Sequence, residues 1–375
     1  MHPAKATAAA VTTLIGIGAA AVAAARYAGD AALRTSPGRP PTGDPRVTVH
    51  ATAPGQVTLT RGLATLRPGM YGLEGDGVHA VVGPVLEAVP HEAHTVVRRL
   101  ERVTRGSLEP GAKVRLTPFV HSGDPLSALG LDFSHVDVLG ELGALPAWFV
   151  PGSRSTWVIA VHGIGATRAH PLNVLEALHR HRLPVLVLGY RGDEGAPRSP
   201  DGLSHLGDSE WRDLDAAVRY AVRQGAERVV LHGWSTGAAM AFHTATSSAV
   251  RHLVRGLILD SPVLDREATL RSLASARGTP AALLPLAVRA AQGSTGLVGD
   301  RLREAADPDA LRVPTLIFHG PGDTVAPWGP SRLLANARPD LVTLHTVPDA
   351  SHAAMWNADP ATYEEALRRF LTPLM

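Results

Sequence analysis

The chain has 375 residues, enough for one large α/β domain with additional parts, and its net charge is +2 with lysine only at Lys5 and Lys113. There is no cysteine, which excludes disulfides, thiolate zinc sites and a cysteine nucleophile. No basic stripe with interleaved aromatic residues is present, so a nucleic-acid partner is not implied.

Residues 6 to 25, ATAAAVTTLIGIGAAAVAAA, carry no charge, with Lys5 before them and Arg26 after. Twenty helical residues reach about 30 Å, the thickness of a hydrocarbon core. The favoured expectation is an N-terminal transmembrane helix acting as an uncleaved single-pass anchor within residues 1–30. A cleaved signal peptide with a secreted product, and an alanine-rich helix outside the membrane, are the alternatives. Arg26, Arg34, Arg39 and Arg46 follow the run and lean towards a cytoplasmic catalytic domain. Residues 31–45 read as a linker rich in proline and glycine.

Residues 46–135 read as a β-rich accessory region. RVTVHAT, QVTLTRG, MYGLE, VHAVVG and KVRLTPFV alternate in part, HTVVRRLERV suits a strand or a short helix, and Gly75-Asp76-Gly77 suits a hairpin turn. The expected form is a small β-sheet against the main domain. It carries no chemical constellation, and the alternative role is shaping substrate entry or touching a membrane surface.

From residue 136 to 375, strands alternate with helices, which calls for a mostly parallel sheet covered by helices on both faces. An apolar strand at Trp157 to Val161 ends in His162-Gly163-Ile164-Gly165. The strand over Val229 to Leu231 runs into Gly233-Trp234-Ser235-Thr236-Gly237, which fits G-x-S-x-G between strand and helix. A late strand leads to HGPGDTVAP with Asp323, and the last strand leads to ASHAAMW with His352. Residues 263–312 hold no strand and read as a helical cap insertion, in which AALLPLAVRAA suits a lid over an acyl pocket or ordinary packing on the sheet.

These four motifs, in this order, resemble the α/β-hydrolase superfamily over about two thirds of the chain. YRGDEGAPRSPDG and LGDSEWRDLDAAVRYA are similar to uncharacterised bacterial members. The resemblance implies Ser235 as nucleophile, His352 as general base and then acid, and Asp323 as the carboxylate that orients the imidazole. Backbone N–H groups of Ile164 and Thr236 would form the oxyanion hole. Asp260 is a rival for the acid. His162 and His319 read as structural, and Asp193, Glu194, Asp208 and Glu210 as a polar loop and helix start. The implied reaction is cleavage of a carboxylic ester or thioester through an acyl-serine, without metal or cofactor, on a small acyl substrate of lipid-like character. A serine peptidase or aminopeptidase, and a silent binding module, are the alternatives.

Overall fold

The structure is a computed structural model and describes residues 21–34, 38, 43–297 and 307–375. Its main layer is an eight-stranded sheet made of β7 (Ser134–Leu139), β8 (Ala144–Val150), β9 (Thr156–Val161), β10 (Val185–Leu188), β11 (Arg228–Trp234), β12 (Val254–Asp260), β13 (Thr315–His319) and β14 (Val342–Thr346). The spatial order is β14-β13-β12-β11-β9-β10-β8-β7. Only β8 runs against its neighbours, pairing antiparallel with both β7 and β10. The buried strands are runs of Val, Ile and Leu because both faces are covered. Alternate residues feed two cores: Leu231, Leu257 and Ile317 pack on one face, and Val230, Ile258 and Leu316 on the other. Helices Trp211–Arg223, Thr236–Ser247 and Trp328–Ala337 cover the first face. Helices Leu172–Arg180 and Pro360–Leu371 cover the second.

The accessory region is β-rich, as its sequence reads, and its small sheet closes on itself. Strands β1 (Val47–Ala53), β2 (Gln56–Thr60), β3 (Tyr71–Gly75), β4 (Val78–Val85), β5 (Thr95–Arg105) and β6 (Lys113–Thr117) form a closed barrel in the order β1-β2-β5-β4-β3-β6. Pairing of Val47 with Val114 and of Thr48 with Lys113 closes it and leaves no free sheet edge. Val49, Val57, Leu59, Leu73, Val96 and Leu116 fill its core. Arg98 is buried among them without a carboxylate. It donates to the carbonyls of Gly83, Thr65, Arg67 and Gly69 at 2.7 to 3.1 Å, and burial pushes its guanidinium down to about 10. The barrel is clamped to the main layer through Pro118, whose carbonyl accepts from Asn173 Nδ2 at 2.8 Å and Asn357 Nδ2 at 3.0 Å. Asn357 also exchanges backbone and side-chain hydrogen bonds with Met70 at 2.8 Å.

The expectation of an N-terminal transmembrane helix is corrected. Residues 6–20 of that run lie outside the described residues. Residues 21–33 are helical and turn a face of small residues into the protein. Ala25, Ala32 and Leu33 are buried, and a Cβ on Gly29 would lie 2.6 Å from the Ala287 carbonyl oxygen. This helix thus crosses the cap helix Leu284–Thr295 with backbones in close approach. Among the described residues, no helix is long and apolar enough to cross a membrane.

The cap helix over AALLPLAVRAA takes neither of its two expected places, over the acyl pocket or on the sheet. Helix Arg266–Ala276 and helix Leu284–Thr295 share a core with Ala32, Leu33, Leu203, Leu206, Val263 and Val325. The apolar face of AALLPLAVRAA is spent on that core: Ala287, Val288 and Ala291 are the buried positions of its helix. The stretch read as a linker begins as helix, and Leu33 accepts a backbone hydrogen bond from Ser204 at 2.9 Å.

Candidate active site

Seven of the eight strands run the same way and end on one edge of the sheet, at its carboxyl side, where an open α/β sheet leaves room for a ligand. The turn after β11 brings Ser235 there with φ 56° and ψ −117°, a conformation that costs a residue with a Cβ on the order of 1–3 kcal/mol. The surroundings hold it: the Ser235 N–H donates to the Asp260 carbonyl at 2.9 Å, and its carbonyl accepts from Ala238 at 3.1 Å and Ala239 at 3.2 Å. Two glycines are required by contact. A Cβ at 237 would sit 2.3 Å from the Val161 carbonyl oxygen, and one at 163 would sit 2.6 Å from Ser235 Cβ. The G-x-S-x-G turn and the H-G-I-G turn are therefore pressed together.

His352 lies in the loop after β14. Its Nε2 is 2.7 Å from Ser235 Oγ and its Nδ1 is 2.7 Å from Asp323 Oδ2. The carboxylate can only accept, so Nδ1 carries the proton and Nε2 is free to accept the serine hydroxyl. Asp323 Oδ1 takes the N–H groups of Val325 at 2.8 Å and Ala326 at 2.9 Å. Burial alone would raise the Asp323 carboxyl. The charge and hydrogen bonds of His352 and His319 outweigh it, and the carboxyl is held well below its usual range. The Ile164 N–H has no backbone acceptor among the described residues, and Thr236 stands at the first position of its helix, where an N–H has no intrahelical partner. Both belong to turns that flank Ser235.

Asp260, the rival acid, does not touch His352. It is fully buried under the site, and its Oδ1 accepts from Ser261 Oγ at 2.9 Å. Ser261 Oγ in turn accepts the Ala353 N–H at 2.9 Å, so Asp260 reaches the histidine loop through one hydroxyl. Burial pushes its carboxyl up to about 7, against the pull of Ser261 and His352.

The four other acids do not form one cluster. Asp193 binds His162 Nε2 at 2.8 Å and the Tyr190 N–H at 2.9 Å. Glu210 accepts from Ser204, His205 and Gly207, and Asp208 lies 3.4 Å from Arg266. Glu194 lines a separate polar cavity beside Asp193. His162 is fully buried, with Nδ1 2.9 Å from the Gly163 carbonyl, and so pins the turn that carries Ile164. Among the described residues no group of three or more His, Cys, Asp or Glu could hold a metal ion.

His319 was read as structural, yet it reaches the same carboxylate oxygen as His352. Its Nε2 is 3.1 Å from Asp323 Oδ2 and 3.2 Å from the Ala326 carbonyl, while Nδ1 is 2.8 Å from Ser331 Oγ. Two acceptors at Nε2 place the proton there, and Ser331 donates to Nδ1. The signal in the sequence was the short H-x-x-x-D spacing in HGPGD. His319→Leu is expected to lower kcat about 10-fold or more, in keeping with a lost hydrogen bond to a charged group. KM should stay nearly constant, and His319→Asn should restore part of the rate because an amide N–H can replace the donor. Steady-state kinetics on an activated ester check this. Equal losses in the Leu and Asn variants would reduce His319 to packing.

A cavity of about 840 Å³ opens over Ser235 and His352, and one of its walls is the barrel. His170 also lines it. This ring packs against Phe119 of the barrel and Trp234 of the turn, and burial pushes it down to about 3, so it is neutral.

Comparison with known proteins agrees with this architecture. At 19% identity, the esterase Pf2001 of Pyrococcus furiosus superposes with a TM-score of 0.54 over 67% of this chain and 96% of its own. The fold is that of the α/β-hydrolases. The uncharacterized protein YfhR of Escherichia coli O157:H7 is 24% identical over 264 residues, covering 67% of this chain and 83% of YfhR. YfhR of Salmonella typhimurium is 28% identical over 249 residues, covering 60% and 77%. Residues 48–117, which span the barrel strands, match the model of a domain of unknown function (DUF8805). Residues 202–295 match that of a protein of unknown function (DUF1749).

Proposed function

We propose that this chain is a serine hydrolase that cleaves a carboxylic ester or thioester through an acyl-serine intermediate. The observation that carries the reading is the unbroken relay from Ser235 Oγ through His352 to Asp323, with 2.7 Å at each step. The serine hydroxyl gives its proton to His352 Nε2 while Oγ attacks the acyl carbon. The carbonyl oxygen becomes an oxyanion facing the Ile164 and Thr236 N–H groups, each donor being worth roughly 3 kcal/mol to such an intermediate. Collapse expels the alcohol or thiol, which takes the proton from His352, and leaves the acyl group on Ser235. Water then attacks the acyl-serine with His352 as base, the acid leaves and Ser235 regains its proton. Asp323 stabilises the imidazolium in both halves.

Ser235→Ala and the wild type should be compared for covalent labelling by a fluorophosphonate. Labelling of the wild type that vanishes in the variant supports an activated Ser235. A folded wild type that does not label would sink the acyl-serine route and leave a binding module on a hydrolase fold.

A further inference from the structure

We propose that the cavity over Ser235 accepts acyl chains that end in a carboxylate, held by Arg115 of the barrel and Arg277 of the cap. This rests on the serine-hydrolase reading of the same cavity. The cavity is lined in part by Ser235, His352 and Ile164. The wall formed by the barrel brings charge: Arg46, Glu74, Asp76 and Arg115 line it, and Arg277 enters from the end of the first cap helix.

Of these five, Arg46 and Asp76 neutralise each other through two hydrogen bonds of 3.0 and 3.2 Å. Glu74 and Arg115 are directly opposite in the β3–β6 register and so share a face, but they make no ion pair. Arg115 is half-buried, with Nη1 3.4 Å from where a Cβ on Gly43 would stand. Neither its guanidinium nor that of Arg277 has an ion-pair or hydrogen-bond partner among the described residues. Arg115 feels the charge of Asp76 but donates no hydrogen bond to it, Arg277 is exposed at the cavity mouth, and the planar fork of each guanidinium matches a carboxylate. The three unpaired charges sum to +1, which suits a monoanion. The apolar cap helix faces the helix over residues 21–33 and not this cavity, so it adds no apolar wall for a long chain.

The test uses three p-nitrophenyl esters of equal chain length: pentanoate, hemiglutarate and 5-aminopentanoate. The readout is the ratio of kcat/KM values on the full chain. Hemiglutarate over pentanoate is expected at 10-fold or more in the wild type. The ratio should fall to about 2-fold in Arg115→Gln and in Arg277→Gln, chiefly through KM, and stay intermediate in Arg115→Lys, which keeps the charge without the fork. Calorimetric titration with glutarate reads the same site without turnover and should lose about 10-fold in affinity in Arg115→Gln. A wild-type ratio near one, or a ratio that Arg115→Gln leaves intact, overturns the proposal. So does a preference for aminopentanoate that Glu74→Gln removes, which would assign the wall to an amine. Fluorophosphonate labelling without any carboxylate preference sinks only this assignment. Glutarate binding without labelling or turnover sinks the hydrolase reading and keeps the anion site.

Discussion

Ser235→Ala and His352→Ala are each expected to lower kcat for an activated ester by about 10⁶-fold, and the double variant to be no slower than either single one. The hydroxyl and the imidazole act on one proton across 2.7 Å, so removing either leaves the other without a task. Asp323→Asn should cost less, about 10⁴-fold, because the base survives in the wrong tautomer. An amide at 323 would turn an N–H towards one of two imidazole donors, since Oδ2 serves both His352 and His319. Single-turnover kinetics on p-nitrophenyl acetate measure all four. What remains in the double variant, about 10³ to 10⁴ over water, reports the cavity and the two free N–H groups. If the losses multiply in the double variant, Ser235 and His352 act in separate steps, and the acyl-serine route is wrong.

Ser235, Asp323 and His352 could be read from the sequence because each sits at a strand end whose local pattern is self-contained. An apolar run gives the strand, and the glycines at 163 and 237 mark where two turns must touch. What escaped the sequence depends on what lies opposite. An alanine-rich run is equally apolar against lipid and against protein. For the described residues that follow it, the deciding pair is Gly29 and Ala287, whose backbones meet across more than two hundred positions. The barrel closes through Val47 and Val114, a pairing that no local alternation announces. The apolar cap helix suited a lid or packing on the sheet, but its partner is the helix over residues 21–33, and among the described cap residues it is Arg277 that reaches the cavity. His319 escaped for a related reason. HGPGD reads as a turn, and nothing in the pattern says that the turn folds the imidazole back onto the carboxylate four residues on.

Asp260→Asn is expected to raise Tm at pH 8 and to raise it by less than half as much at pH 5. In the folded chain this carboxyl is pushed up to about 7 from an ordinary 3.8, so the folded state keeps a proton that the unfolded chain releases. The stabilisation from that proton is fully present below about pH 4 and is lost as pH rises through about 7. The gap corresponds to an upper limit of about 4 kcal/mol, a sizeable share of the stability of a single domain. Asparagine keeps an oxygen for Ser261 Oγ and cannot ionise, so the loss at high pH disappears. At about 2–4 °C per kcal/mol, the variant should gain on the order of 5–10 °C at pH 8. Asp323 has the opposite sign. Its depressed carboxyl stabilises the fold above the ordinary carboxylate range, and that contribution is lost only as pH falls through its lowered value. The two aspartates thus bound the stable range from opposite sides; Asp323 holds His352 directly, and Asp260 holds the loop that carries it through Ser261 and the Ala353 N–H. Calorimetric scans of both proteins from pH 5 to 8 decide the matter. A variant less stable than the wild type at pH 8 would mean that Asp260 is ionised and paired in the folded chain.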